Sequence, residues 1–169
     1  MSAGSGGGRA PVGADGADGP RVAVLHGVNL DQLGRRDPEQ YGSLTLAELE
    51  VAVTGFAREV GVRASFSQTN HEGEYCEALH EAPEVADALI LNPGAWTHYS
   101  WAIRDALEVA GLPAVEGHLS KGEEREEWRR TSVIGPLCFE TVSGLGVDGY
   151  RRALELVRER LSAAPGPVR

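Results

Sequence analysis

The chain predicts an α/β fold in which a parallel sheet is covered by helices on both faces. Strand-like and helix-like segments alternate along most of the 169 residues, and parallel neighbours need a crossover that is usually a helix. A composition of 41% hydrophobic and 24% charged residues fits one globular domain better than two domains or a disordered chain. Polar residues also gather just after the strand-like segments, where open parallel sheets bind their ligands.

Residues 1–20 are mostly Gly, Ala, Asp and Ser with almost nothing to bury, so they are expected to form a disordered tail. The domain then spans 21–162, and 163–169 form a second tail. Arg21 to His26 (RVAVLH) reads as the first strand. Thr45 to Val60 has helical periodicity opened by a Thr45-x-x-Glu48 capping box. The unit repeats: Arg63 to Gln68 is strand, Glu72 to Glu81 helix, Ala88 to Asn92 strand, Ser100 to Val109 helix and Pro113 to Glu116 strand. A short helix is expected around Glu123 to Arg130, a last strand over Cys138 to Ser143, and a closing amphipathic helix over Val147 to Leu161.

Sixteen basic residues against twenty-five acidic ones give a formal charge of -9, which disfavours nucleic acid or an anionic membrane as partner. No apolar run reaches the roughly 20 residues of a membrane helix, and the N-terminus lacks the apolar stretch of a secretion signal, so the expected location is cytoplasmic. Cys76 and Cys138 are too few and too far apart for a disulfide framework or a four-ligand zinc site. Reduced, buried thiols and no metal are expected.

The residues following the strands are His26-Gly-Val-Asn29, Gln68-Thr-Asn70-His-Glu72-Gly-Glu74, Asn92-Pro-Gly-Ala-Trp-Thr-His98 and Glu116-Gly-His118-Leu-Ser120. Singly, each has an ordinary reading as a turn, a structural histidine or a solvated loop. Four such stretches converging on one crevice suit a polyhydroxylated small molecule. The longest connection, Gly27 to Ser43, has 17 residues and is expected to be a lid, with Gly34 and Gly42 as hinges that carry Arg36 and Tyr41 over the crevice. A guanidinium beside a phenol favours the phenolate, which makes Tyr41 a usable base. In REEWRR, Arg125 and Arg129 are four residues apart on a helix and share a side that can face an anionic ligand, with Arg130 beside them.

These blocks, with Gly144-Leu-Gly-Val-Asp-Gly-Tyr150, resemble the type II 3-dehydroquinate dehydratases from about Arg21 to Leu161. Several ordered motifs in register are far more specific than one short pattern. The resemblance implies a flavodoxin-like three-layer sandwich whose five-stranded parallel sheet has the order 2-1-3-4-5. It implies removal of water from 3-dehydroquinate to give 3-dehydroshikimate through an enolate, in the shikimate or quinate pathway, without metal or organic cofactor. On matching positions, Tyr41 resembles the base that takes the C2 proton, with Arg36 holding it as phenolate and Asn29 fixing a water against the enolate oxygen. His118, oriented by Glu116, is the implied general acid. The backbone amides of Leu119 and Ser120, with the Ser120 hydroxyl, hold the substrate carboxylate. Asn92, His98 and Arg129 grip the hydroxyls and ring, Arg125 adds charge, and Asp105 reaches in from a neighbouring subunit of a trimer-based dodecamer.

The alternative dehydratase chemistry uses a Schiff-base lysine, and Lys121, the only lysine, sits in a surface turn where the family usually has Asn. Other departures are His26 for Asn, Val28 for Pro, Asp31 where Asn is common, Gly117 for a β-branched residue, and Phe139 and Glu140 for small ones. They leave open a related dehydratase acting on an amino- or otherwise modified analogue. A non-enzymatic receiver or flavin carrier fits poorly. A receiver wants an acidic pair after the first strand, and a flavin carrier a phosphate loop, where this chain has His26 to Asn29.

Overall fold

The computed structural model describes residues 18–121 and 126–163. Residues 1–17 of the tail expected over 1–20, residues 164–169 of the one expected over 163–169, and Arg125 lie outside the described residues. Strands β1 (Arg21–His26), β2 (Arg63–Gln68), β3 (Ala88–Asn92), β4 (Ala114–His118) and β5 (Glu140–Ser143) form one sheet of order β2-β1-β3-β4-β5. Every pairing is parallel, with Leu25 beside Ser67 and Leu91, and Glu116 beside Thr141. The flavodoxin-like order implied by the resemblance is therefore the observed one.

Alternation along β1 and β3 sends neighbouring side chains to opposite faces. Val22, Val24 and Ile90 pack with Leu49 and Val53 of α2 (Leu46–Val60) and Leu154 and Val157 of α5 (Asp148–Ser162). Ala23, Leu25, Leu89 and Leu91 pack with Tyr75 and Leu79 of α3 (Glu72–Val85) and Ile103 and Leu107 of α4 (Trp101–Ala110). Because both faces are covered, β3 reads as an unbroken apolar run, ALIL, buried throughout before Asn92. No helix among the described residues is long and apolar enough to cross a membrane.

Local chemistry sets the helix starts. Thr45 and Glu48 form the expected capping box at α2. The Ser100 hydroxyl accepts from the Ile103 amide at 3.0 Å, so Ser100 caps α4 instead of lying in its first turn.

Several boundaries differ from expectation. Helix α3 runs past Glu81 to Val85 because Pro83 forfeits one backbone bond near the helix end while Leu79 and Ala82 are buried there. Gly117 does not end β4: it pairs with Val142 and His118 pairs with Ser143, so the partner strand carries β4 onward. A side chain at 117 would meet Ile90 at an ordinary 3.7 Å. Where a helix over Glu123 to Arg130 was expected, the described part is one 3₁₀ turn, Glu127–Arg130. It stops because the next residues are tied to the turn after β3 and to α4: the Val133 amide donates to the Thr97 carbonyl at 2.8 Å and Arg104 donates to the Val133 carbonyl at 2.6 Å. Cys76 and Cys138 are free thiols but half-buried, not buried as expected.

The 17-residue connection has structure of its own. A 3₁₀ turn, Leu30–Gln32, buries Leu30, Leu33 follows it into the core, and α1 (Pro38–Tyr41) is capped by Asp37, whose carboxylate accepts from the Glu39 amide at 3.0 Å. Gly34 and Gly42 both have positive φ, 87° and 74°. These turning points bracket α1 and hold it over the carboxyl ends of the strands.

Candidate active site

A cavity of about 210 Å³ opens at the carboxyl edge of β1, β3, β4 and β5. Its lining includes Asn29, Arg36, Tyr41, Asn92, His98, Glu116, His118, Leu119, Ser120 and Arg129. Tyr41 ends α1, and Arg36 lies just before that helix. Arg36 donates from Nη2 to the Tyr41 hydroxyl at 2.8 Å, and its guanidinium carbon is 3.8 Å from the ring centroid. The guanidinium thus lies against both the hydroxyl and the face of the phenol ring.

The second pair stands on β4. Glu116 is 1% exposed, and its carboxylate accepts from three donors: Thr97 at 2.5 Å, His118 Nε2 at 2.6 Å and Ser132 at 2.8 Å. Burial pushes this carboxyl up, but the hydrogen bonds from His118, Thr97 and Ser132 and the charge of His118 outweigh it, leaving the group below its ordinary value and ionised. Because Nε2 of His118 is committed to Glu116, Nδ1 is the nitrogen left to exchange a proton with a ligand.

Three further groups set polarity. His98 donates from Nδ1 to the Thr131 carbonyl at 2.7 Å, leaving Nε2 as an acceptor. Burial lowers this imidazole, and His118 and Arg129 add to the effect against the Thr131 bond. Asn92 donates to the Tyr150 hydroxyl at 3.2 Å and accepts from the Gly94 amide at 3.3 Å. Arg129 is paired with Glu126 at 2.8 Å and lies over Trp128, its guanidinium carbon 4.0 Å from the ring centroid. Asn29 is the one non-glycine with positive φ among the described residues, at 66°. Its amide donates to Asn70 Oδ1 at 2.9 Å, and Asn70 in turn donates to Asp31 at 3.0 Å.

Sequence reasoning placed one stretch wrongly. Gln68 to Glu74 was expected at the crevice, yet none of it lines the cavity, and the edge beyond β4 supplies Thr141 and Ser143 instead. The cause is the strand order: β2 lies on the far side of β1, so its end reaches only a supporting position behind Asn29. Asp105 is on the exposed face of α4, outside this chain's own cavity, and Lys121 does not line it either. Arg130, named beside Arg129 in the basic cluster, does line the cavity, whereas Thr131 and Ser132 were missed because no periodicity or motif marks them as site residues. Thr97 lay inside the quoted Asn92 to His98 block without a role, although a hydroxyl one residue before a site histidine was a usable signal.

A phenol held by a guanidinium and an imidazole held by a buried carboxylate, in one small cavity at the ligand-binding edge of a flavodoxin-like sheet, define an acid–base enzyme site. The model of the class II dehydroquinase family matches residues 20–158, and the chain belongs to that family. It is 47% identical over 135 residues to a 3-dehydroquinate dehydratase of Bacillus pumilus, covering 80% of this chain and 92% of that one. It is 44% identical over 150 residues to that of Bacillus subtilis, covering 89% and 99%. Among solved structures, a type II dehydroquinase from Propionibacterium acnes superposes with a TM-score of 0.78 at 37% identity, covering 83% of this chain and 97% of the other.

Proposed function

We propose that this chain removes water from 3-dehydroquinate to give 3-dehydroshikimate by anti elimination through an enolate. The observation that carries the reading is the presence of two complementary pairs in one cavity, Arg36 on the Tyr41 hydroxyl at 2.8 Å and Glu116 on His118 at 2.6 Å. Tyr41, as phenolate, takes the C2 proton, and the electron pair moves onto the carbonyl oxygen as an enolate. Asn29 fixes a water against that oxygen. The enolate then collapses, the C1–C2 double bond forms and the C1–O bond breaks, while His118 delivers a proton so that hydroxide leaves as water. Tyr41 returns its proton to solvent and His118 regains one, closing the cycle.

Leu119 and Ser120 follow directly on β4 at the strand's carboxyl end, where their amides and the Ser120 hydroxyl meet the substrate carboxylate. Arg129 adds positive charge there, and Asn92 and His98 take the ring hydroxyls. Asp105 serves the site of a neighbouring copy in a trimer-based dodecamer, a reading supported by its place on α4 near the exposed Trp101. The protein acts on a small carboxylated cyclic polyol in the cytoplasm. The test is growth of enone absorbance in the ultraviolet on mixing with 3-dehydroquinate. Tyr41→Phe is expected to lower kcat by about 10² to 10⁴ with an unchanged melting temperature, and an active variant overturns the base assignment.

A further inference from the structure

His26, at the end of β1, is fully buried between Phe66 and Tyr150, with ring centroids 6.5 and 5.7 Å away. Its Nε2 is 2.9 Å from the Tyr150 hydroxyl, whereas its buried Nδ1 has no hydrogen-bond partner among the described residues. An orphaned polar atom in a packed interior is costly and points to what the other nitrogen does.

The direction of each bond follows from counting protons. The Gly94 amide donates to Asn92 Oδ1, so Nδ2 is the end of the Asn92 amide that meets Tyr150 and donates to it. The single proton of Tyr150 then has His26 Nε2 as its acceptor, and His26 carries its own proton on Nδ1. The other tautomer leaves two buried groups unmatched, the phenol proton and the Nδ1 lone pair, in place of one. Burial holds His26 down to about 4, so the imidazole is neutral at pH 7 and keeps its acceptor.

We propose that His26 is a positioning residue for the substrate: by accepting the Tyr150 proton it leaves that hydroxyl as an acceptor for Asn92 Nδ2, and so holds the Asn92 amide in the orientation that the Gly94 amide selects. Resting on the function proposed above, this leaves Asn92 one amide hydrogen and one oxygen lone pair for the cavity. That combination suits a ring hydroxyl, which both donates and accepts. The orientation of a pocket residue is thus held through Tyr150 by a group that does not line the cavity.

The experiment is steady-state kinetics of the full chain on 3-dehydroquinate with Tyr150→Phe, His26→Leu, the double variant and His26→Gln, alongside melting temperatures. Tyr150→Phe is nearly isosteric and keeps the test open should His26→Leu fail to fold. Each single variant is expected to raise KM about tenfold, about 1.4 kcal/mol, with kcat within about twofold. The double variant is expected to be no worse than either single, since both break one chain of bonds. His26→Gln, whose carbonyl reaches the place of Nε2, is expected to bring KM back near the wild-type value. A purely structural role moves the melting temperatures and leaves KM alone. Unmoved KM in folded Tyr150→Phe, or KM effects that multiply in the double variant, overturns the proposal. Absence of turnover by the wild-type chain overturns the function reading and the role of His26 with it, whereas turnover with unmoved KM overturns the role of His26 alone.

Discussion

Burial lowers the His26 imidazole from its ordinary 6.5 to about 4, and bringing the pH down through that interval is expected to destabilise the fold. The unfolded chain takes up this proton near 6.5, while the folded chain refuses it until about 4. Between those values the unfolded state binds more protons, so stability rises with pH and is lost as pH falls. At about 1.36 kcal/mol per pH unit, the interval amounts to about 3 kcal/mol, a large share of a typical folding stability of 5–15 kcal/mol. The side chains facing His26 add no charge of their own, since Phe66 is apolar and burial raises the Tyr150 phenol, keeping it protonated. The assay is urea unfolding at fixed protein concentration from pH 7 to 4, comparing the wild type with His26→Gln, which has nothing to titrate there. The wild type is expected to lose about 3 kcal/mol more than the variant across the range. Equal losses refute the reasoning.

Glu116→Gln turns an amide donor toward Thr97, Ser132 or His118, all of which already donate to this side chain. It is expected to cost about 1–3 kcal/mol of stability and to lower kcat by about 10², measured by melting and by turnover. Gly42 has φ 74° and ψ -178°, a region open essentially to glycine alone. Gly42→Ala is expected to strain the chain just after Tyr41 by about 1–3 kcal/mol, and wild-type kcat in that variant counts against α1 as the mount of the base. Thr97→Val removes one of the three bonds to Glu116 and is expected to raise the carboxyl's pKa, shifting the acid limb of the kcat profile upward. An unshifted limb denies Thr97 that part.

The strands and long helices were legible because their signals are local. RVAVLH, RASFSQ and ALILN became β1, β2 and β3 with the expected bounds, and the Thr45–Glu48 box opened α2. The connection carrying Arg36 and Tyr41 was less legible. Its two turns depend on Leu30 and Leu33 finding the core, and no periodic pattern spans so short a segment. Ser132 was invisible for the opposite reason, since its partner Glu116 is sixteen residues away in the chain and meets it only after β4 is in place.

Near-absence of lysine, the ordered motifs and the alternation of elements belong to the sequence alone, and they named the fold and the candidate groups for moving protons. Tertiary structure decided which strand ends face the cavity, placing β5 there and β2 behind Asn29. It also gave Glu116 its three donors and His26 its buried place beside Tyr150. The physical reason is range. Periodicity and capping act within a few residues, whereas burial and hydrogen-bond direction depend on which distant side chains share the same few ångströms.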